Sequence, residues 1–385
     1  MQVQYKKHNK KLKPIGIDMF SGAGGLSLGF EQAGFNICYA IECDKYAAET
    51  YKNNRRNRNV TVDIRDIREI SPKAVIDKLG IKKGGLDIVI GGPPCQGFSI
   101  SNMKTRNLDN PKNQLIFKFV EFVKVLKPKW FLMENVAGLD SFEKGLFRDI
   151  LIEMFTSIGY KTESMVLNAV NFGVAQGRNR IFFIGNRVGS SMDFIKKIIS
   201  RKIKKPVTVK DAISDLPRLE NGHSMCIMSY NGRKKKLSNY QLLLRSRTNG
   251  KVSNNLVTKN TNLVLERYKY IKQGENIIDL ANKKPSLVSN YKNVENCHHW
   301  IYLRLNNSKP SVTLNNYRKN MLIHPTEDRG LSVREAARLQ SIPDDYVFYG
   351  SIGSQQQQVA NAVPPLLAFK IAKTIMKEVY KDNLQ

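Results

Sequence analysis

The stretch PIGIDMFSGAGGLSLGFEQAGFNICYAIE, residues 14–42, reads as one strand–turn–helix–strand unit. PIGIDMF is a short apolar strand. GGLSLGFEQAG carries apolar residues at helical spacing and stops on a glycine, and FNICYAIE is a second strand. The turn FSGAGG (20–25) joins strand to helix. Glycines there permit positive φ and let backbone amides approach a ligand closely. Glu42 ends the second strand, 20 residues after Gly22. A carboxylate at that place typically takes ribose hydroxyls in nucleoside-binding sheets. The pattern is not G-x-G-x-x-G, because Ser27 stands at its last glycine. Read alone, the glycines make only a tight turn; Glu42 is what points to a ligand.

The rhythm continues outward from this unit. DKYAAETYKNN (44–54) is a helix, LDIVIGG (86–92) a strand, and NQLIFKFVEFVKVL (113–126) a helix. WFLMENV (130–136) is a strand, GLFRDILIEMFTSIG (145–159) a helix, and RIFFIGN (180–186) a strand. Repeated βα units predict an α/β domain over 1–192 with a doubly wound, mostly parallel, Rossmann-like sheet. Beyond residue 192 the rhythm is lost. Residues 196–327 hold 26 Lys/Arg against 8 Asp/Glu, with Tyr230, Tyr240, Tyr268 and Tyr270 interleaved. This predicts a separate, irregular domain over 193–327. The run RKKK (233–236) reads as phosphate contact at most. LSVREAARLQSIPDDY (331–346) and NAVPPLLAFKIAKTIMKEV (361–379) restore helical patterning, so 328–385 is expected to return to the first domain. There Leu366, Leu367, Phe369, Ile371, Ala372 and Ile375 would pack.

The chain has 385 residues, a hydrophobic content of 41% and a formal charge of +29. Such an excess favours a polyanionic partner, nucleic acid first and an anionic membrane surface second. No apolar run reaches the ~18 residues expected of a membrane span. The basic N-terminus has no apolar segment after it, so no secretory signal is expected. Five scattered cysteines without metal-site spacing fit a reducing, cytoplasmic setting. CHHW (297–300) is a poor metal site, since adjacent histidines do not easily face one ion.

One thiol stands out. In DIVIGGPPCQGFS (87–99), Cys95 follows two glycines and two prolines on a loop. A buried structural cysteine fits that setting poorly. Gly22, Glu42, Cys95 and Glu134 all fall at or just past the carboxyl ends of different predicted strands. In an open parallel sheet those ends share one ligand-binding edge.

The motifs DMFSGAGGLSLGF, GGPPCQGFS, ENV, QGRNR, REAARLQSIPDDY and NAVPP follow one another in an order that resembles the DNA (cytosine-5)-methyltransferases of bacteria. The resemblance covers about 14–190 and 300–375 and is most specific in the Pro-Cys, Glu-Asn-Val and Gln-x-Arg-x-Arg elements. It implies S-adenosylmethionine as cofactor and a flipped-out cytosine in duplex DNA as substrate. Cys95 would be the nucleophile that adds to C6, Glu134 would hold N3 and the exocyclic amine, and Arg180 would contact the base O2. Arg178 would lie beside Cys95 or the phosphates. The rigid Pro-Pro would fix the loop so that sulfur sits in attack geometry. Phe20, Gly22, Gly24, Gly25 and Leu26 would line the methionine and ribose, with Glu42 on the ribose hydroxyls. Asp66 or Asp63 would take the adenine amine, Asp66 being preferred, with Ile67 and Pro93 nearby. Asn361 and Val363 would close the pocket. The residues from 193 to 300 match no family pattern, and this stretch is the family's variable target-recognition region. The resemblance further implies a monomer without metal, modifying DNA in a restriction–modification system with a cognate endonuclease.

Three rival readings are an RNA methyltransferase of the same fold acting on tRNA, a catalytically silent DNA-binding relative, and a nicotinamide dehydrogenase. The large basic insert argues for duplex DNA over tRNA. The intact Cys95, Glu134 and arginine pair argue against a silent relative, and the glycine pattern and the Pro-Cys loop against a dehydrogenase.

Overall fold

In a computed structural model, described for residues 13–94, 114–189, 193–230, 236–315 and 317–382, the described residues build a seven-stranded sheet. Its order is β3-β2-β1-β4-β5-β7-β6. β1 (Ile15–Met19), β2 (Asn36–Ile41), β3 (Thr61–Asp63), β4 (Ile88–Gly91) and β5 (Trp130–Val136) run parallel. β6 (Lys161–Asn168) and β7 (Asn179–Asn186) reverse, β7 pairing antiparallel with both β5 and β6. RIFFIGN is therefore a strand as expected, but it returns through a hairpin rather than another βα unit. The strand order turns back on itself beside β1, between β2 and β4. Parallel sheets open a crevice at such a switch point, at the carboxyl ends of the strands.

Apolar side chains cover both faces. α2 (Lys45–Asn53) follows β2, and on one side pack α3 (Pro72–Leu79), α4 (Gln114–Leu126) and α5 (Leu146–Ser157), through Val75, Phe119, Phe122 and Phe155. On the other pack α1 (Gly25–Ala33) and α8 (Pro365–Asp382), through Phe30, Leu367, Ile371 and Ile375. α1 and α8 touch at Gly29, where a Cβ would lie 2.4 Å from that of Ala368. A larger residue there would force the helices apart.

The remaining residues form two further cores. One joins the short helices Val209–Ile213 and Asn239–Arg245 to α6 (Val333–Leu339) and α7 (Ile352–Asn361). The other holds Asn262–Tyr270 against Ile277–Lys283. Tyr240 and Tyr268 are buried in these cores, and the Tyr230 hydroxyl donates to Asp344 at 2.5 Å. Of the four interleaved tyrosines, Tyr270 is the exposed one. Arg338 on α6 ties the parts together, meeting Asp344 at 2.6 Å and Asp215 at 2.5 Å while almost fully buried.

One apolar stretch, Ile352–Val379, is long enough to cross a membrane, contrary to the sequence reading. It is α7 and α8 with a break at 362–364, and 72% of its apolar window is buried in the protein. Among the described residues no group of three His, Cys, Asp or Glu could hold a metal.

Candidate active site

A cleft of about 830 Å³ opens at the carboxyl edge of β1, β2, β4 and β5. Phe20, Gly22, Gly25, Leu26, Glu42, Asp66 and Ile67 line one half. Pro93, Glu134, Arg178 and Arg180 line the other, and Asn361 and Val363 border it from the end of α7. Gly24 stands apart from the lining: a side chain there would run into Tyr51 and Arg55. Cys95 lies outside the described residues; Pro94, just before it, is on the cleft wall.

The glycine turn is braced from behind. The Arg55 guanidinium, 3% exposed, donates to Gly24 O at 3.1 Å and to Glu31 at 2.8 Å. The Tyr346 hydroxyl donates to Ala23 O. Tyr346 closes the IPDDY motif, so a C-terminal segment holds the N-terminal turn. In front, Glu42 accepts the Gly22 N–H at 2.7 Å and the Asp44 N–H at 2.8 Å. Burial pushes its carboxyl above the usual range, and these N–H donors pull it back.

Sequence reading missed Asp18, a carboxylate within the apolar strand IGIDM; the polar residue in a buried strand was the signal. Its Oδ2 accepts from the Ser27 hydroxyl at 2.6 Å, and Ser27 in turn meets Tyr51 at 2.8 Å. Ser27 thus replaces a glycine to serve this carboxylate. Among the described residues the Asp18 Oδ1 is buried without a partner, and Asp18 lines the cleft. Burial raises its pKa to about 7. A carboxyl whose folded pKa is raised binds its proton more tightly when folded, so stability falls as pH rises from about 4 through 7. Asp18→Asn removes that loss. Its stability relative to wild type should rise by on the order of 3 kcal/mol between about pH 4 and pH 8.5 without cofactor. Urea unfolding at both pH values checks this; a constant difference would place the titration elsewhere.

The two adenine candidates part clearly. Asp63 is held by Arg65 through two hydrogen bonds of 2.7 Å and by the Tyr39 hydroxyl at 2.6 Å, which keep its carboxyl down at about 2. It is absent from the cleft lining, whereas Asp66 borders the cleft beside Ile67 and caps the turn Ile67–Glu69.

Across the cleft, Arg180 Nε meets Glu134 Oε1 at 2.8 Å, both side chains about one-tenth exposed. The register of β5 on β7 sets this pair, with Val136 opposite Arg180 and Glu134 opposite Phe182. Burial pulls the Arg180 pKa down while Glu134 supports the charge. A Cβ on Gly92 would lie 2.9 Å from Glu134 Oε2, so the glycine before Pro93 makes room for the carboxylate. Asn135, also missed, donates from Nδ2 to Pro93 O at 3.1 Å. It links the Glu-Asn-Val strand to the Pro-Pro loop and is buried.

The sequence profile of C-5 cytosine-specific DNA methylases matches residues 15–377. The chain belongs to this family. It is accordingly a DNA (cytosine-5)-methyltransferase. It is 36% identical over 362 residues to the type II methyltransferase M1.HphI of Haemophilus parahaemolyticus, covering 94% of this chain and 86% of that one. It is also 36% identical over 382 residues to the type II methyltransferase M.DdeI of Desulfomicrobium norvegicum, covering 93% and 88%. A solved prophage-encoded protein of E. coli, described as a DNA modification methyltransferase, superposes with a TM-score of 0.76. It shares 26% identity over 97% of this chain and 100% of that one.

In this methyltransferase Arg178 sits differently from the phosphate contact considered from sequence. It is 1% exposed and donates from Nη2 to Ala360 O at 2.9 Å. A guanidinium so buried cannot reach a phosphate on the protein surface. Burial and the neighbouring Arg180 push its pKa far down, and among the described residues its Nε and Nη1 have no partner. Arg178 therefore links the Gln-x-Arg-x-Arg turn to the end of α7 at the floor of the cleft.

Proposed function

We propose that this enzyme transfers a methyl group from S-adenosylmethionine to C5 of a flipped-out cytosine in a specific duplex sequence, through a Cys95 thiolate adduct at C6. The observation that carries this reading is the Glu134–Arg180 pair facing the same cleft as Glu42 and the glycine turn. One half thus suits a nucleoside cofactor, the other a planar base with donors and acceptors on its edge.

The cofactor half fits its ligand on two counts. Asp18 Oδ1 is a buried acceptor without a partner, suited to the ammonium of a methionyl group. Glu42 is fixed at the end of β2, where ribose hydroxyls can replace or share its N–H donors. Phe20, Gly22, Gly25 and Leu26 would hold the methionine and ribose, Asp66 and Ile67 the adenine, and Pro93, Asn361 and Val363 would close over it. When bound, S-adenosylmethionine supplies an electrophilic methyl group.

The protein's own residues prepare the base. Cytosine C5 is a weak nucleophile until the Cys95 thiolate adds to C6 and turns the ring into an enamine-like nucleophile. Glu134 holds N3 and the exocyclic amine as ring charge develops there, and Arg180 faces O2. Loss of the C5 proton and of the thiolate restores the ring. A thiol of pKa ~8.5 is mostly protonated at neutral pH, so nearby positive charge must favour the thiolate. Arg178 and Arg180 line the same cleft as Pro93 and Pro94, the residues just before Cys95. Glu134 and Arg180 are nearly buried, so a stacked base cannot reach them and must be extruded, at a cost of a few kcal/mol.

The domain over 193–327 would choose the sequence, through its residues beyond 210. The protein would act as a monomeric, cytoplasmic modification enzyme beside a cognate type II endonuclease. Bisulfite sequencing of DNA from expressing cells should show 5-methylcytosine at one recurring sequence. S-adenosylhomocysteine, not NAD, should bind the purified protein. Unmodified DNA with labelled methyl found on tRNA instead would overturn the reading in favour of an RNA substrate.

A further inference from the structure

The charge of this protein is not confined to the cleft. Between 194 and 210 lie seven Lys/Arg and no Asp/Glu, whereas 14–189 hold 24 Lys/Arg against 18 Asp/Glu. The segment leaves β7 at Asn186, which pairs with Trp130 at the start of β5 and so lies at the sheet edge opposite the cleft. It climbs the flank until the Ile203 N–H donates to Asn171 O at 2.8 Å, just past the end of β6 at the cleft edge. The eight residues of β7 measure that climb, roughly 25 Å at about 3.3 Å per residue.

The segment is pinned to α8. Ile198 is fully buried, Arg201 Nε donates to Thr374 at 2.9 Å, and Lys197 pairs with Glu378 at 2.9 Å. On α8, Lys370, Lys373 and Lys377 recur at spacings of 3 and 4, a single stripe next to Thr374 and Glu378. Lys196, Lys202, Lys204, Lys205, Lys373 and Lys377 are all exposed. Two elements far apart in sequence therefore display one basic surface from a fixed backbone, and Glu378, the acid facing it, is already paired.

We propose that this flank binds duplex DNA lying beyond the target site, as a second contact separate from the cleft. The inference rests on DNA being the substrate. Double-stranded DNA carries one charge per ~1.7 Å, so a strip of roughly 25 Å can face several phosphates of one strand. A lipid surface is the weaker candidate, because among the described side chains between 195 and 210 the exposed large apolar one is Ile199, 40% exposed, and that stretch holds no aromatic residue.

The test compares wild type with the fourfold variant Lys202→Gln, Lys204→Gln, Lys205→Gln and Lys373→Gln. Binding is measured against salt on a duplex of about one helical turn and on one of about four turns, both holding the target. On the long duplex the variant's log–log salt slope should be shallower by roughly 2 to 3, and affinity at low salt more than tenfold weaker. On the short duplex both proteins should bind and methylate alike. Equal slopes on the long duplex would overturn the proposal. So would an equal loss on both duplexes, which would mean a diffuse field over the cleft. Loss of binding to phosphatidylserine vesicles with DNA slopes unchanged would assign the flank to a membrane. Absence of methylation by either protein would instead refute the proposed reaction, while the slope comparison still reads the flank.

Discussion

Cys95→Ser is expected to abolish covalent trapping of the protein on DNA and nearly all methyl transfer. The proposed adduct at C6 resolves only when the C5 proton leaves, and fluorine at C5 cannot leave as a cation. A 5-fluorocytosine duplex with S-adenosylmethionine should therefore hold wild-type protein on DNA through denaturing electrophoresis. Serine is close in size, but its unactivated hydroxyl is a far poorer nucleophile at neutral pH. S-adenosylhomocysteine affinity should stay near that of wild type, because Phe20, Glu42 and Asp66 lie on other elements of the cleft. Cys38, Cys43, Cys226 and Cys297 are free thiols, and serine at each should leave trapping intact. An adduct that survives Cys95→Ser, or that vanishes with one of the other four, would move the nucleophile.

Glu134→Gln should lower kcat by about 10²- to 10³-fold, the loss seen when one preorganised group facing developing charge is removed. KM for DNA should move much less. The glutamine keeps the shape but leaves Arg180, 11% exposed, facing a neutral partner. Breaking such a pair from one side costs up to about 3 kcal/mol, so urea stability should fall as well. Arg180→Gln combined with it should cost less than the two changes summed, since each single change already dissolves the pair. A loss confined to KM, or strict additivity of the two changes, would show that the pair does not act as a unit on the base.

The sheet was legible where apolar runs end in glycine or a turn, as in DIVIGG and WFLMENV. β6 was not, because KTESMVLN is an edge strand with a largely polar, partly exposed face and gives no continuous apolar run. β3 was too short at three residues to carry a pattern. The edge of the site was equally legible: Gly22, Glu42 and Glu134 announce themselves by standing at strand ends. Its supports were not. Tyr346 reaches Ala23 and Arg178 reaches Ala360 only because the chain returns across the whole fold. Asn135 was quoted as part of a motif, yet its grip on Pro93 depends on the spacing of β4 and β5. Tyr240 and Tyr268 read as interleaved with the basic residues but are core residues, since local sequence does not tell a buried ring from one facing nucleic acid.

The contact of α1 with α8 has a bearing on synthesis. α1 ends at Ala33 and its covering helix begins at Pro365. At about 5–20 residues per second, the ribosome takes on the order of 20 s to one minute to make the intervening chain. Throughout that interval the apolar side of the first βαβ unit has no lid, and Tyr346, which holds the glycine turn, is made only near its end. Newly made enzyme should consequently be silent until translation is almost complete, and the half-made chain should be a client for chaperones that shield bare apolar surface. Pulse-labelled ribosome-bound chains stalled before Pro365 should be cut rapidly by protease within α1, and chains stalled far enough beyond Asp382 to free α8 from the exit tunnel should resist.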